Sequence, residues 1–464
     1  MANVSANSRP LGLLEKYQIG KRLADCYGTV TLTVNLHHAT SRPAQDENSW
    51  YLAKLTPAIH QICNEQPYLV SVVANYNTPE AHWIQLENID ATDIVVSKTI
   101  SLQDPTAVES LIAQQCNDAF DLNDTTKPLW RLCIASDPQD LNRCIIVLAW
   151  DHVIYDGISS TIFFDRFLEL LNTTTETEGS ETTFSVKAIS KMPLPYDQRS
   201  PPTPKLITEV VPKAFTELLL PSFITRRSHV GLWRGQHKAK EETHKTRVRI
   251  IEIDTESLMA RCKAEKSTPH CAVQVAAIMA ASSELMGNAT KLSFKTPINA
   301  RGLCNPAIPQ NEIGNFVGSF ETTVTVPLKR SFWDESRVYR AKLKDGKYNA
   351  GKASAYLAYL GSFPEEYKKY SKSPFEKHEL GRGGGIELSD LALWKNQTGK
   401  GQWNLEKATF CQSINVYDTP LTMNSVTVDN KLRISITWQD GATDADKVDN
   451  FVKKVNQILI EQSQ

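Results

Sequence analysis

Hydrophobic and polar positions recur along this chain with two periods, and the switches between them mark its elements. Thr29-Val30-Thr31-Leu32-Thr33-Val34 alternates at period two and is rich in β-branched residues, which predicts a strand. From Trp50 to Cys63 the apolar positions Leu52, Leu55, Ile59 and Ile62 follow helical spacing and predict an amphipathic helix. Ile145-Ile146-Val147-Leu148-Ala149-Trp150 is a continuous apolar run between polar flanks, as expected of a buried strand. The next segment carries Ile158, Ile162, Phe163, Phe167, Leu170 and Leu171, a helix with a broad apolar face.

The pattern breaks near residue 186. Pro193, Pro195, Pro201, Pro202, Pro204, Pro212 and Pro221 crowd one stretch, where they block continuous helix or sheet and favour extended chain. This predicts a connection between two lobes, packed on the surface through Leu218-Leu219-Leu220; a lipid-surface role for that apolar patch is the less favoured account. Periodicity resumes at Arg247. Val248–Ile253 predicts a strand, and Ala272–Leu285 a helix opened by Ser267, Thr268 and Pro269. Leu292–Pro297 and Val324–Pro327 predict strands. Val426-Thr427-Val428 and Leu432–Ile436 flank Asp429-Asn430 as a hairpin, and Asp446–Ile460 predicts a last helix. The expected fold class is α/β, with two lobes of mixed or antiparallel sheet flanked by helices. The expected division is an N-terminal lobe over residues 1–185, a proline-rich connection over 186–235 and a C-terminal lobe over 236–464.

Composition agrees with this picture and removes several function classes. At 464 residues the chain is long enough for two or three domains, or for one domain of two large lobes, and can bury a full core. Lys and Arg number 51 against 52 Asp and Glu, a balance that argues against a non-specific nucleic-acid binder. No apolar run is long enough to span a membrane, and the start lacks the basic and apolar regions of a signal peptide. Nine cysteines, scattered and without a CxxC pair, suggest buried or free thiols in a reducing cytosol, not a disulfide or zinc framework. A cytoplasmic monomer is expected.

Of ten histidines, only His152 falls between a predicted buried strand and a predicted helix, in Trp150-Asp151-His152-Val153-Ile154-Tyr155-Asp156-Gly157. This is the chain's only His-x-x-x-Asp pair, and a glycine follows it. A short loop at a strand end holds side chains rigidly while opening them to a cleft. Histidine there can take a proton near neutral pH. Gly157 lets the backbone turn and leaves the approach to the histidine uncrowded, and Ser159 or Ser160 caps the helix. The competing account is a core histidine satisfied by a neighbouring carboxylate.

The string His152-x-x-x-Asp156-Gly157 resembles the signature of the coenzyme A-dependent acyltransferase superfamily, which includes chloramphenicol acetyltransferase, plant BAHD enzymes and peptide-synthetase condensation domains. Further pieces are similar to the fungal alcohol O-acetyltransferase-like family. They are Arg9–Tyr17, Pro128-Leu129-Trp130-Arg131-Leu132, Pro297–Arg301 with Gly314–Gly318, and Phe410-Cys411-Gln412-Ser413 before the last hairpin. The resemblance implies two chloramphenicol-acetyltransferase-like lobes with an active-site channel between them. Acyl-CoA would enter as co-substrate from one side, and a small acceptor with a hydroxyl or amine from the other. It implies His152 as general base, Asp156 paired with Arg301 to hold the loop, and the Gly157 amide with Ser413 as oxyanion candidates. No tightly bound cofactor, metal or nucleic-acid partner is implied.

Two departures stand out. Asp151 occupies the place where some relatives have a second histidine, and Leu388-Ser389-Asp390-Leu391-Ala392 replaces a Ser-Asn-x-Gly loop. The BAHD string Asp-Phe-Gly-Trp-Gly is absent. Other signals give bland readings. Gly381-Arg382-Gly383-Gly384-Gly385 lacks the Walker lysine and is expected to be a flexible loop. His237 and His244 lack metal spacing, and His37-His38 is expected at a strand-end surface. The leading expectation is O-acyl transfer from acyl-CoA to a hydroxyl. The alternatives are the same base acting on a carrier-bound thioester or in cyclisation or release, and a non-catalytic binding protein.

Overall fold

The computed structural model describes residues 8–173, 181–187, 191–199, 230–241 and 245–464. Two large sheets organise it. The first has five strands in the order Trp403–Gln412, Thr29–His38, Asp140–Asp151, Trp130–Asp137, Val95–Thr99. The second has six, in the order Thr246–Asp254, Lys431–Gln439, Leu421–Val428, Ile386–Leu393, Lys291–Asn299, Val317–Thr325. Both are mixed. Val95–Thr99 runs parallel to Trp130–Asp137, and Ile386–Leu393 runs parallel to both of its neighbours, while the remaining pairs are antiparallel. Helices Glu47–Glu65, Pro105–Asn117 and Gly157–Thr173 accompany the first sheet; Thr255–Ala264, Pro269–Glu284, Phe332–Lys352 and Ala445–Ser463 accompany the second. The predicted α/β class holds, and the apolar periods land on these elements.

The pattern explains local choices. Thr268 caps Pro269–Glu284 through the Cys271 amide, with Pro269 at the first turn, where its missing N–H costs nothing. Ala272, Val275, Ala276 and Val448, Phe451 and Val455 of the last helix are buried in one core with Ile434 and Ile436 of the sheet. The Asn430-centred turn has left-handed backbone at Asp429 and Asn430, the geometry a two-residue hairpin needs.

The lobes interlock more than the order of the sequence suggests. Trp403–Gln412, which lies inside the segment expected to form the C-terminal lobe, pairs antiparallel with Thr29–His38 and extends the first sheet. Its apolar residues Trp403, Leu405, Ala408 and Phe410 join the core of that sheet. The seam is tied by Gln412 Nε2 to Asn424 Oδ1 at 2.8 Å and by the Ser435 hydroxyl to the Phe410 carbonyl at 2.7 Å. Helix Pro105–Asn117 covers the exposed edge of Thr246–Asp254: Glu109 accepts the Ile250 amide at 2.9 Å, and Asn117 accepts the Thr246 amide at 2.7 Å.

Several sequence expectations change. The Leu388–Ala392 string is not a loop but part of the Ile386–Leu393 strand, where Ala392 has left-handed backbone beside a register shift. His38 is buried (1%), boxed by Trp50, Tyr51 and Trp403, and is not at the surface. The Gly381–Gly385 loop is pinned: the amides of Gly383, Gly384 and Gly385 donate to the carbonyls of Tyr417, Asp418 and Trp233. Those amides are therefore not free to cradle a phosphate, which agrees with the absence of a Walker lysine. The strand expected at Val324–Pro327 instead runs Val317–Thr325 and overlaps that span only at Val324 and Thr325. Of the proline-rich connection, Pro193 and Pro195 are described; Pro201 to Pro221 and Leu218-Leu219-Leu220 lie outside the described residues.

All nine cysteines are free thiols, and eight are buried. Among the described residues no group of His, Cys, Asp and Glu is arranged to hold a metal, and no helix is long and apolar enough to cross a membrane.

Candidate active site

His152 follows the Asp140–Asp151 strand directly and precedes helix Gly157–Thr173 by a four-residue turn. The strand that delivers it is buried along its last eight residues, so the loop leaves a rigid base. Asp151 anchors that end. Its Oδ1 accepts the Val153 amide at 3.0 Å, and its Oδ2 faces Arg22 Nε at 3.2 Å. Burial pushes the Asp151 carboxyl upward, and Arg22 works against that. The residue that replaces a second histidine is thus a structural anion turned into the protein.

Asp156 is 1% exposed and fully engaged. Arg301 Nη1 reaches its Oδ2 at 2.7 Å, and Nη2 reaches its Oδ1 at 3.1 Å. The Phe316 amide donates to Oδ2 at 2.9 Å, and the Ser159 amide donates to Oδ1 at 2.9 Å. Burial would raise its pKa, but the Arg301 charge and these hydrogen bonds outweigh that and hold it below the usual carboxylate range. Asp156, not Ser159 or Ser160, caps the following helix. Ser159 instead ties the loop across the seam, donating to the Gly314 carbonyl at 2.8 Å and accepting the Gly314 amide at 3.0 Å. The Arg301 guanidinium lies 4.8 Å over the Phe316 ring. The expected partnership of Asp156 and Arg301 is therefore a buried, bidentate staple between the loop and the second sheet.

Gly157 earns its place through crowding. Its backbone is not left-handed, but a Cβ there would lie 2.8 Å from Phe410 Cζ and 2.9 Å from Leu391 Cδ2. The expectation of a tight turn gives way to close packing of strands from both sheets.

The imidazole of His152 is partly accessible, with Tyr27 tilted beside it at 6.1 Å between ring centres. Asn315, whose role the sequence did not single out, donates through Nδ2 to the His152 carbonyl at 2.9 Å and lies 3.3 Å from Nδ1. Burial and then the nearby Lys21 charge drive the His152 pKa down to about 4; hydrogen bonding to backbone at His152 and Tyr155, and the Asp156 charge, oppose the shift. The ring is neutral at pH 7. Its Nδ1 edge faces the loop backbone, which leaves Nε2 as the nitrogen directed away from it.

Ser413 is brought to a different place. It is buried, and its hydroxyl accepts the Gly28 amide at 2.8 Å. No hydrogen bond joins it to His152 or to the Asp156–Gly157 turn. Its neighbour Gln412 approaches the site instead, accepting the Tyr27 hydroxyl at 2.6 Å and donating to Glu387 at 2.8 Å.

The chain matches the alcohol acetyltransferase family model over residues 10–459. It is 22% identical over 438 residues to the Fusarium pseudograminearum protein named "Probable alcohol acetyltransferase FCK4", spanning 84% of this chain and 82% of that one. Its fold is similar to that of TRI3 trichothecene 15-O-acetyltransferase from Fusarium sporotrichioides, with a TM-score of 0.69 at 12% identity over 98% of this chain and 95% of that one. It is also similar to the condensation domain of the monacolin K polyketide synthase MokA, with a TM-score of 0.60 at 12% identity over 98% and 97% of the two chains. The family match spans both sheets, the His152 loop and the Arg301 staple, and the chain is a member of the alcohol acetyltransferase family of acyltransferases.

Proposed function

We propose that this protein transfers an acyl group, acetyl in the first instance, from acyl-CoA to the hydroxyl of a small acceptor, with His152 as general base. The observation that carries the reading is His152 itself: a neutral, partly accessible imidazole on a loop that Asp151, Asp156 and Ser159 hold in place. His152 Nε2 takes the proton of the acceptor hydroxyl as that oxygen attacks the thioester carbonyl. The tetrahedral oxyanion collapses, the C–S bond breaks, and the proton held on His152 passes to the departing thiolate. The products are the ester and free CoA, and no covalent enzyme intermediate forms. The Gly157 amide, at the start of a helix, is the donor in this reading that faces the developing oxyanion. Asp156 and Arg301 act at one remove: they fix the loop and do not touch the reacting atoms.

The test is turnover of acetyl-CoA with a panel of alcohols, scored by ester and by free thiol. His152→Ala is expected to lower kcat by about 10²–10⁴-fold, the usual worth of a positioned general base, with an unchanged melting temperature. Unchanged turnover in that variant overturns the role. Ester formed without stoichiometric free CoA points instead to a carrier-bound donor.

A further inference from the structure

A cation stands beside His152, and among the described residues it has aromatic neighbours but no ionic or hydrogen-bonding partner. Lys21 lies in the last turn of helix Leu13–Leu23. Its neighbour Arg22 performs structural work there, pairing with Asp151 and donating to the Phe120 carbonyl. The Lys21 ammonium makes no hydrogen bond or ion pair with any described residue. Its ammonium lies 4.6 Å from the ring centre of Tyr17 and 4.6 Å from that of Tyr27, between two aromatic faces. Tyr27 is also the ring beside His152. Lys21 is only partly buried, and its ammonium is not among the sealed, unsatisfied polar atoms, so its three donors face accessible space.

The two nearby carboxylates have contacts of their own. Asp418 is in close contact with Lys295, whose pKa it raises against the lowering effect of burial. Glu387 accepts Gln412 at 2.8 Å and attracts Lys21 only through space. Burial, followed by the Asp418 charge, pushes the Glu387 carboxyl upward. Lys21, Lys295, Glu387 and Asp418 thus come from both halves of the chain, lie deep, and still keep some accessible surface. That combination describes the wall of a shared internal space. With Asp418 taken up by Lys295, the Lys21 ammonium has only through-space attraction, chiefly from Glu387, so it can take a hydrogen-bonding monoanion; a phosphate dianion would be repelled by the two carboxylates.

We propose that Lys21 seats a carboxylate of a substrate in the space beside His152, with Tyr17 and Tyr27 as its flat apolar walls. This rests on the acyl-transfer reading for the identity of the ligand, but not for the binding itself. The carboxylate has two sources: an acceptor that is a hydroxy acid, or a dicarboxylic acyl-CoA such as malonyl-CoA.

Calorimetric binding to the full chain separates them without turnover. The acceptor arm uses 4-hydroxyphenylacetate against its methyl ester; the donor arm uses malonyl-CoA against acetyl-CoA. In at least one arm the wild type is expected to favour the acid, and Lys21→Met to lose about tenfold or more of that preference, the scale of a charge-assisted hydrogen bond. Lys21→Arg is expected to retain part of it, and the neutral ligand of each pair to bind both variants alike. Loss in the first arm places the carboxylate on the acceptor, and loss in the second places it on the donor. Equal binding of acid and neutral ligand in both arms, or a preference that survives in Lys21→Met, overturns the proposal. Failure of acetyl transfer to every alcohol, with the Lys21-dependent preference intact, would instead sink the reaction and leave this site standing.

Discussion

Arg301 and Lys21 flank the His152 loop from distant parts of the chain, and the protein treats their charges in opposite ways. Arg301 is surrounded by acceptors: both oxygens of Asp156, the Ser159 hydroxyl and the Gly314 carbonyl all lie within 3.3 Å of its guanidinium. The Lys21 ammonium has aromatic faces and, among the described residues, no acceptor. A buried charge that the protein satisfies is scaffold, because removing its partner strands the other charge. A deep charge that no protein group pairs keeps part of its desolvation cost, which a bound anion can offset. The contrast also reaches the imidazole. Lys21 disfavours its protonated form, and Asp156, held ionised by Arg301, favours it. The pair divides the work of the loop into holding and receiving.

The largest expected effect breaks the holding half. Arg301→Ala leaves the Asp156 carboxylate, 1% exposed, without its cation. Breaking a buried pair in this way costs about 3–5 kcal/mol. Urea unfolding should report that loss, and acyl transfer should fall with it, because the loop carries His152. Wild-type stability together with wild-type activity would show that the staple is idle. Lys21→Met should by contrast hold or slightly raise stability, since it removes a partly desolvated charge and strands no ion-pair partner among the described residues.

A smaller effect tests whether the loop is held by packing as well as charge. In Gly157→Ala the new methyl meets Phe410 and Leu391 at less than 3.0 Å. Overpacking of this kind costs about 1–3 kcal/mol. Phe410 belongs to the crossing strand Trp403–Gln412 and Leu391 to the second sheet, so the strain falls on the seam itself. The expected outcome is a lower midpoint with an unchanged denaturant slope, and a drop in kcat larger than the change in KM. A Gly157→Ala protein as stable as wild type would mean that the seam yields easily.

The holding half was far more legible in the sequence than the receiving half. His152, Asp156 and Gly157 form a local string, and a local string survives in any reading of the chain. Arg301 is reached only through the resemblance, and Asn315 sits in a matching string that gives it no role, because contacts over 145 and 163 residues leave no mark on local periodicity. The crossing of Trp403–Gln412 into the first sheet was hidden for the same reason: its pattern says strand, and only pairing says which sheet. His38 looked like a strand-end surface residue because a polar side chain in a half-buried strand is usually solvated; Trp50 and Trp403, remote in sequence, box it in. Lys21 was illegible altogether. A lysine in the last turn of a helix has an ordinary explanation in the helix dipole, and only the absence of a partner sets it apart.

The smallest effect is a matter of where a curve bends. With its pKa near 4, His152 stays neutral from pH 7 down to about pH 4, so the acid limb of kcat/KM assigned to it lies near 4 and not near 6.5. Stability behaves differently over the same window. The unfolded chain takes up a proton at this histidine below about pH 6.5, whereas the folded chain does not until about pH 4. Unfolding is therefore favoured increasingly as pH falls through that window, and the contribution becomes constant below it. Subtracting the pH dependence of His152→Gln unfolding from that of the wild type isolates this term. Lys21→Met removes a like charge, so the activity limb should move toward neutral pH and the stability window should narrow from its acid side. An activity limb near 6.5 in the wild type, or one that Lys21→Met leaves in place, would break the claim that the unpartnered lysine and the imidazole share one field. Both movements together would show that the charge left free for a ligand also keeps the base in its working form.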